Sequence, residues 1–144
     1  MLGTIRTVSE ATRERVLEGV RRVAEGVAAA HGAEVAVELI RGYPVTVNDI
    51  SLTERMVPTL EKVAGKDKVF VGQKITGYED FSCFQQKIPG FFYFIGITPR
   101  GVGRRLSAPN HSPLFFVDES ALLLGLRSLA HLTLDYMASH PNPG

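Results

Sequence analysis

His111 is the residue of this chain best placed to do chemistry. It stands in Asn110-His111-Ser112-Pro113, a polar turn stopped by proline. The apolar run Leu114-Phe115-Phe116-Val117 and the acidic pair Asp118-Glu119 follow. A histidine held in a rigid turn can offer a neutral ring nitrogen to a metal ion. From the residues alone, a ligand and an ordinary turn residue both remain open. About thirty residues earlier, Gly77-Tyr78-Glu79-Asp80-Phe81-Ser82 sets a glycine and two carboxylates ahead of a helix. There Glu79 or Asp80 can cap free amides and complement the helix dipole. The alternative is that this end faces an active site, where the same amides hold a substrate carboxylate and Glu79 orients a ligand or substrate.

The remaining candidates read as structural. His31 falls at a helix C-terminus as a capping or surface residue. His131 reads as a hydrogen-bonded core residue of a buried helix, and His140 as part of a disordered Pro-rich tail. Cys83 reads as a small buried thiol, and Asp118 and Glu119 as helix caps. The chain has no His-x-Asp, no His-Glu-x-x-His and no Cys-x-x-Cys. A catalytic zinc takes about three protein ligands and a two-metal site takes more. The chain is therefore expected not to supply an ordinary catalytic metal site by itself.

The elements that must position these residues follow from periodicity. A short β-favouring segment, Leu2 to Arg6, precedes a long amphipathic helix that begins at Val8 or Ser9. Val16, Val20, Val23, Val27 and Ala30 recur on one face of it, and Gly32 ends it as a left-handed cap. Glu34 to Ile40 alternates as a half-buried strand does. Gly42-Tyr43-Pro44 punctuates the chain and the character changes after Asn48-Asp49, which places a domain boundary here, drawn between residues 43 and 44. A second helix, Leu52 to Ala64, is capped by Asp49 or Ser51 and ended by Gly65. Val69 to Val71 is expected as a short strand, Glu79 to Lys87 as a helix, and Gly90 to Ile97 as a central strand covered on both faces. The last helix carries leucines nearly all round, which predicts burial against a sheet.

Composition limits the function. The 144 residues are 44% hydrophobic with a net charge of +1, so nothing marks a nucleic-acid binder. One cysteine rules out an internal disulfide and fits a reducing, cytoplasmic location. No apolar run reaches the roughly 18 residues of a membrane span. The first residues lack the pattern of a signal peptide. The chain reads as an α/β protein.

Taken in order, seven segments resemble the C-terminal part of a known family. Gly3-Thr4-Ile5-Arg6-Thr7, the helix ending Ala30-His31-Gly32-Ala33-Glu34-Val35, and Arg41-Gly42-Tyr43-Pro44-Val45-Thr46-Val47-Asn48-Asp49 are similar to the end of a dimerisation, or lid, domain. Gly77 to Ser82, Pro89 to Gly96, Asn110 to Pro113 and Val117 to Glu119 are similar to the returning half of a catalytic domain. The family is that of the metal-dependent N-acyl-amino-acid amidohydrolases, with the related aminoacylases and carboxypeptidase-type metallopeptidases. Tyr78 and Cys83 depart from its usual pattern.

The resemblance implies an α/β fold: the strand-helix-strand end of a ferredoxin-like lid domain over residues 1–43, then part of a zinc-peptidase-like catalytic domain over residues 44–144. It implies His111 as a ligand of a site with two divalent ions, zinc or manganese. It also implies Glu79 and Asp80 in the wall that binds substrate, an N-acyl amino acid or small peptide. The implied reaction is attack of a metal-activated water on the amide, with a glutamate moving the proton; that glutamate and most ligands lie outside this chain. A homodimer through the lid domain is implied, with no nucleic-acid or membrane partner. Three readings of the chain follow: an inactive fragment of the hydrolase, one half of a split hydrolase, or a dimerisation and interaction module. The abrupt start at Leu2 leads us to expect strands that precede it in the family.

Overall fold

A computed structural model describes residues 1–103 and 107–140. Its helices are α1 (Glu10–Ala30), α2 (Ile50–Ala64), α3 (Phe81–Gln85) and α4 (Ser120–Ser139), with one 3-10 turn at Lys66–Lys68. By contact, the chain divides into two compact units: Met1–Asn48 with Gly72–Phe92, and Asp49–Val71 with Tyr93–Gly144.

The first unit is organised by the ends of α1. Ser9 caps the helix, its Oγ accepting from the Thr12 amide at 3.2 Å. At the other end Gly32 adopts φ 63°, the Ala33 amide donates to the Ala28 carbonyl, and the Gly32 amide donates to Ala29. This paired closure satisfies carbonyls that would otherwise be orphaned. The expected cap Gly32 is thus in place, and the helix begins one residue after Ser9. The expected apolar face is not covered: α1 has no buried residue, and Val23 is 60% exposed. Polar bonds tether the helix instead. Arg41 grips Glu14 through two bonds, at 2.6 and 2.5 Å. The Val45 amide donates to Glu10 at 2.9 Å, and Arg13 donates to the Tyr43 carbonyl at 2.9 Å.

Asn48 and Gln85 join the rest of this unit. The Asn48 side chain accepts from the Phe92 amide and donates to the Phe92 carbonyl, both at 2.7 Å. Gln85 accepts from the Val47 amide at 3.1 Å and donates to the Gly90 carbonyl at 3.3 Å. Gly90 has to be glycine here, because a Cβ would stand 2.6 Å from Gln85 Cγ. Phe81 packs on Phe92 with ring centroids 5.6 Å apart.

The second unit is built on α2 against α4. Asp49 caps α2, its Oδ1 accepting from the Leu52 amide at 2.7 Å, and Gly65 closes it with φ 99°. Met56, Leu60 and Leu132 are the buried apolar side chains among the described residues. Beside them the buried Thr59 hydroxyl donates to Asp135 at 2.6 Å. Pro58 lies inside α2 and offers no amide to the carbonyl one turn back.

Several expectations are corrected. None of residues 2–6, 34–40, 69–71 or 90–97 is a strand among the described residues. A strand exists only through ladder bonds to a neighbour, and β-favouring residues do not supply one. Segment 93–99 alternates half-buried and exposed positions, so one face is covered rather than two. On that face the Ile95 side chain meets α4 beside Gly125, where a Cβ would stand 3.1 Å away. Most leucines of α4 are exposed for want of a sheet, and His131 is exposed with them. Cys83 is exposed as well, because the five-residue α3 has too few turns to cover it. His140 is ordered by contact: its ring stacks on Tyr136 at 4.3 Å and Nε2 lies 2.7 Å from Arg55.

Removing the Asn48 amide removes both of its bonds to the Phe92 backbone. Asn48→Ala is expected to lower stability by about 1–3 kcal/mol. Urea unfolding checks this, and an unchanged midpoint would show that the two bonds contribute nothing.

Candidate functional site

The loop that carries His111 is pinned at its base. The Asp118 amide donates to the Ile97 carbonyl at 2.9 Å, and the Thr98 and Ser107 hydroxyls meet at 3.2 Å. Within the loop, the Ser112 amide donates to Pro109 at 3.1 Å and the Phe115 amide to Ser112 at 3.0 Å. Ser112 Oγ also accepts from the Leu114 amide at 3.2 Å. These turns place His111 at φ 71°, the one non-glycine residue with positive φ among those described. That backbone state is uncommon for a residue with a Cβ and costs about 1–2 kcal/mol. The imidazole is exposed at the tip. The sequence signalled a rigid turn through Pro113; the left-handed backbone at its centre carried no signal of its own.

Glu79 and Asp80 lie in the other unit, at the start of α3. Glu79 Oε1 accepts from the Phe81 amide at 3.3 Å, and the buried Ser82 hydroxyl donates to the Glu79 carbonyl at 2.7 Å. Glu79 therefore performs the capping that the residues allowed. Asp80 stands at the N-cap position with no side-chain capping bond, and its carboxylate is exposed. Just before them Tyr78 stacks on Tyr43 at 4.4 Å, over Gly42, where any Cβ would stand 2.6 Å from the Tyr78 ring. Arg6 reaches the same stretch, donating to the Thr76 carbonyl at 3.1 Å. Sequence reasoning did not single out Arg6, Asn48 or Gln85. Asn48 had registered only as the edge of a boundary.

The start of α4 shows a carboxylate in a defined state. Asp118 Oδ1 accepts from the Ser120 amide at 3.0 Å. Hydrogen bonding from the Ser120 side chain, and then from its amide, holds the Asp118 carboxyl below the ordinary carboxylate range. A groove of about 370 Å³ lies along α1 between Glu14, Arg21, Leu39 and Arg41, and none of the expected site residues lines it. No three His, Cys, Asp or Glu residues cluster in a way that could hold a metal, among the described residues. The described residues do not fit a two-metal centre by themselves, since among them His111 stands without companion ligands.

A wider comparison decides the ancestry. The sequence profile of peptidase family M20/M25/M40 matches residues 4–135. The chain belongs to this family. A thermostable carboxypeptidase 2 of Saccharolobus solfataricus is 36% identical over 135 residues, 93% of this chain and 33% of that protein. A putative amidohydrolase of Bacillus subtilis is 31% identical over 94% of this chain and 34% of its own length. The N-acetylcysteine deacetylase of the same species is 34% identical over 93% of this chain and 33% of its own length. The chain thus spans about a third of the M20 relatives it matches. Among the described residues, no helix is long and apolar enough to cross a membrane.

Two outcomes test this geometry. Glycine relieves the left-handed backbone at position 111, so His111→Gly is expected to raise stability by about 0.5–1 kcal/mol net of its own chain entropy. A lower melting temperature in the variant would refute the strain. The Asp118 carboxyl titrates lower in the folded chain than its ordinary value of 3.8. Its contribution is therefore present above about pH 4 and lost as pH falls through the folded value. Protection of the Ser120 amide, taken as its exchange rate relative to the intrinsic rate at each pH, should fall below about pH 4 in the wild type, with the step absent in Asp118→Asn. A step of equal size in both would assign it elsewhere.

Proposed function

We propose that this chain is the C-terminal part of a metal-dependent amidohydrolase or peptidase that cleaves N-acyl amino acids or small peptides. The observation that carries the reading is the match over residues 4–135, with relatives named as carboxypeptidase, amidohydrolase and deacetylase. Residues 1–43 are assigned to the lid domain, through which two subunits pair, and residues 44–144 to the catalytic domain.

His111 is the one metal ligand that this part contributes to a centre of two divalent ions, zinc or manganese. Its exposed ring, on a loop pinned by Ile97 and Asp118, supports that role: a ligand to a shared metal has to project from its own unit. Glu79 and Asp80 belong to the substrate-binding wall. Glu79 fixes the first turn of α3 by capping it, while the exposed Asp80 carboxylate stays available to a polar group. The chain alone lacks the other ligands and the proton-transferring glutamate, so it is inactive until the remaining part of the enzyme is present.

A chimera tests the reading. Residues 4–135 are exchanged for the matching segment of the Saccharolobus carboxypeptidase, and hydrolysis of N-acyl amino acids and small peptides is followed with and without a chelator. Chelator-sensitive turnover is expected from the chimera and none from the chain alone. His111→Ala in the chimera should lower the rate by more than the roughly 100-fold that losing a residue behind a ligand costs. A folded chimera without turnover, or with turnover indifferent to His111, defeats the proposal.

A further inference from the structure

The C-terminal end of α4 is fastened to α2 by a contact that apolar packing does not require. The Arg55 guanidinium of α2 reaches His140, with Nη1 2.7 Å from the ring Nε2. It also lies over the Tyr136 ring, 5.8 Å from the centroid, and the imidazole stacks on that ring at 4.3 Å. On the other side of the imidazole, Nδ1 stands 3.0 Å from the Tyr136 carbonyl and 3.1 Å from the Ser139 hydroxyl. The Ser139 hydroxyl itself donates to that carbonyl at 2.8 Å. All of these residues belong to the second unit.

The partners fix the state of the ring. A guanidinium has donors only and keeps its charge in a protein, so Nε2 has to accept and carries no proton. A carbonyl only accepts, so the Nδ1 proton is directed at Tyr136. The imidazole is therefore neutral, in the Nδ1–H tautomer. From α2 it faces the Arg55 guanidinium, and from α4 it faces the Tyr136 phenol ring. Asp135 on the same helix accepts from Thr59 at 2.6 Å. Among the described residues the ion pairs are Glu10 with Arg13 and Glu14 with Arg41, so no carboxylate pairs with His140.

We propose that Arg55, Tyr136 and His140 form a pH-sensitive latch, closed while the imidazole is neutral and opened by its protonation. An imidazolium presents an N–H on both sides, and two donors cannot share a 2.7 Å contact. Repulsion between the two cations acts in the same direction. The Nδ1 bond needs no change, because the Tyr136 carbonyl accepts from either form, and the negative end of the helix favours a cation there. Acid thus separates the two tasks of His140. The residue goes on closing α4 as its C-cap and gives up α2. The closed latch excludes a proton that the open one binds, so closure is favoured as pH rises and lost as pH falls. Histidine changes charge between about pH 5 and 8, which sets the range of the response. Arg55, Tyr136 and His140 are exposed, so the latch governs the end of α4 rather than the stability of the unit. The seam of Met56, Leu60 and Leu132 carries no titrating group and stays closed.

Nitrogen NMR of the full chain, with its histidines labelled, tests the latch. At about pH 8 the His140 ring should report the Nδ1–H tautomer, with nuclear Overhauser contacts between the ring and the Arg55 side chain. At about pH 5 those contacts should be lost, while contacts between the ring and Tyr136 persist. Arg55→Gln supplies a side-chain amide that accepts as well as donates, so its contact with the ring should survive at both pH values. Circular dichroism at each pH establishes that α2 and α4 are intact. The proposal is overturned if the wild type holds the Nε2–H tautomer at about pH 8, or if its Arg55 contacts are the same at both pH values. It is equally overturned if acid removes the contact from a folded Arg55→Gln as it does from the wild type, since the helix end would then loosen by another route. The wild-type comparison decides by itself should the variant fail to fold.

Discussion

The packing of α2 on α4 is the contact on which the second unit depends. Met56, Leu60 and Leu132 are the buried apolar residues among those described, and all three lie on that seam. The seam also holds a polar bond, from Thr59 to Asp135. Apolar contact brings the helices together without fixing their rotation. A buried hydroxyl with one carboxylate within reach adds direction, since turning either helix would leave the hydroxyl without a partner. From this seam the loop that carries His111 takes its footing, for Ile95 rests beside Gly125 on α4 and Ile97 receives the bond that closes the loop.

What was legible in the sequence is what local chemistry decides. Ser9, Asp49, Gly32 and Gly65 announce helix ends, and each does at the structure what its side chain, or lack of one, permits. Burial was less legible, because it belongs to the neighbour as much as to the residue. The valines of α1, Cys83, His131 and most leucines of α4 have the composition of covered positions and stand exposed. The same holds for the β-favouring segments: Phe91 to Ile97 has strand residues throughout, yet pairing is a property of two segments and periodicity reads one.

The candidate site divides along the same line. That His111 sits in a constrained turn was written into Asn110-His111-Ser112-Pro113, and so was the capping carboxylate ahead of α3. Family membership could also be read, from an order of short motifs that resembles the family matched over residues 4–135. The left-handed backbone of His111 could not be read. It arises from a sequence of turn bonds, at Pro109, Ser112 and the loop base, none of which is distinctive by itself.

The two bonds between Asn48 and Phe92 have a consequence for alignment. A side-chain amide presents a donor and an acceptor much as a peptide unit does, so Asn48 serves as a neighbouring strand one residue long. Register is the quantity such a contact fixes. Sliding Phe92 by a single position would exchange the two faces of the aromatic run that follows and withdraw both groups from Asn48. The pair of bonds between Asn48 and Phe92 thus selects one register out of two at this point of the chain.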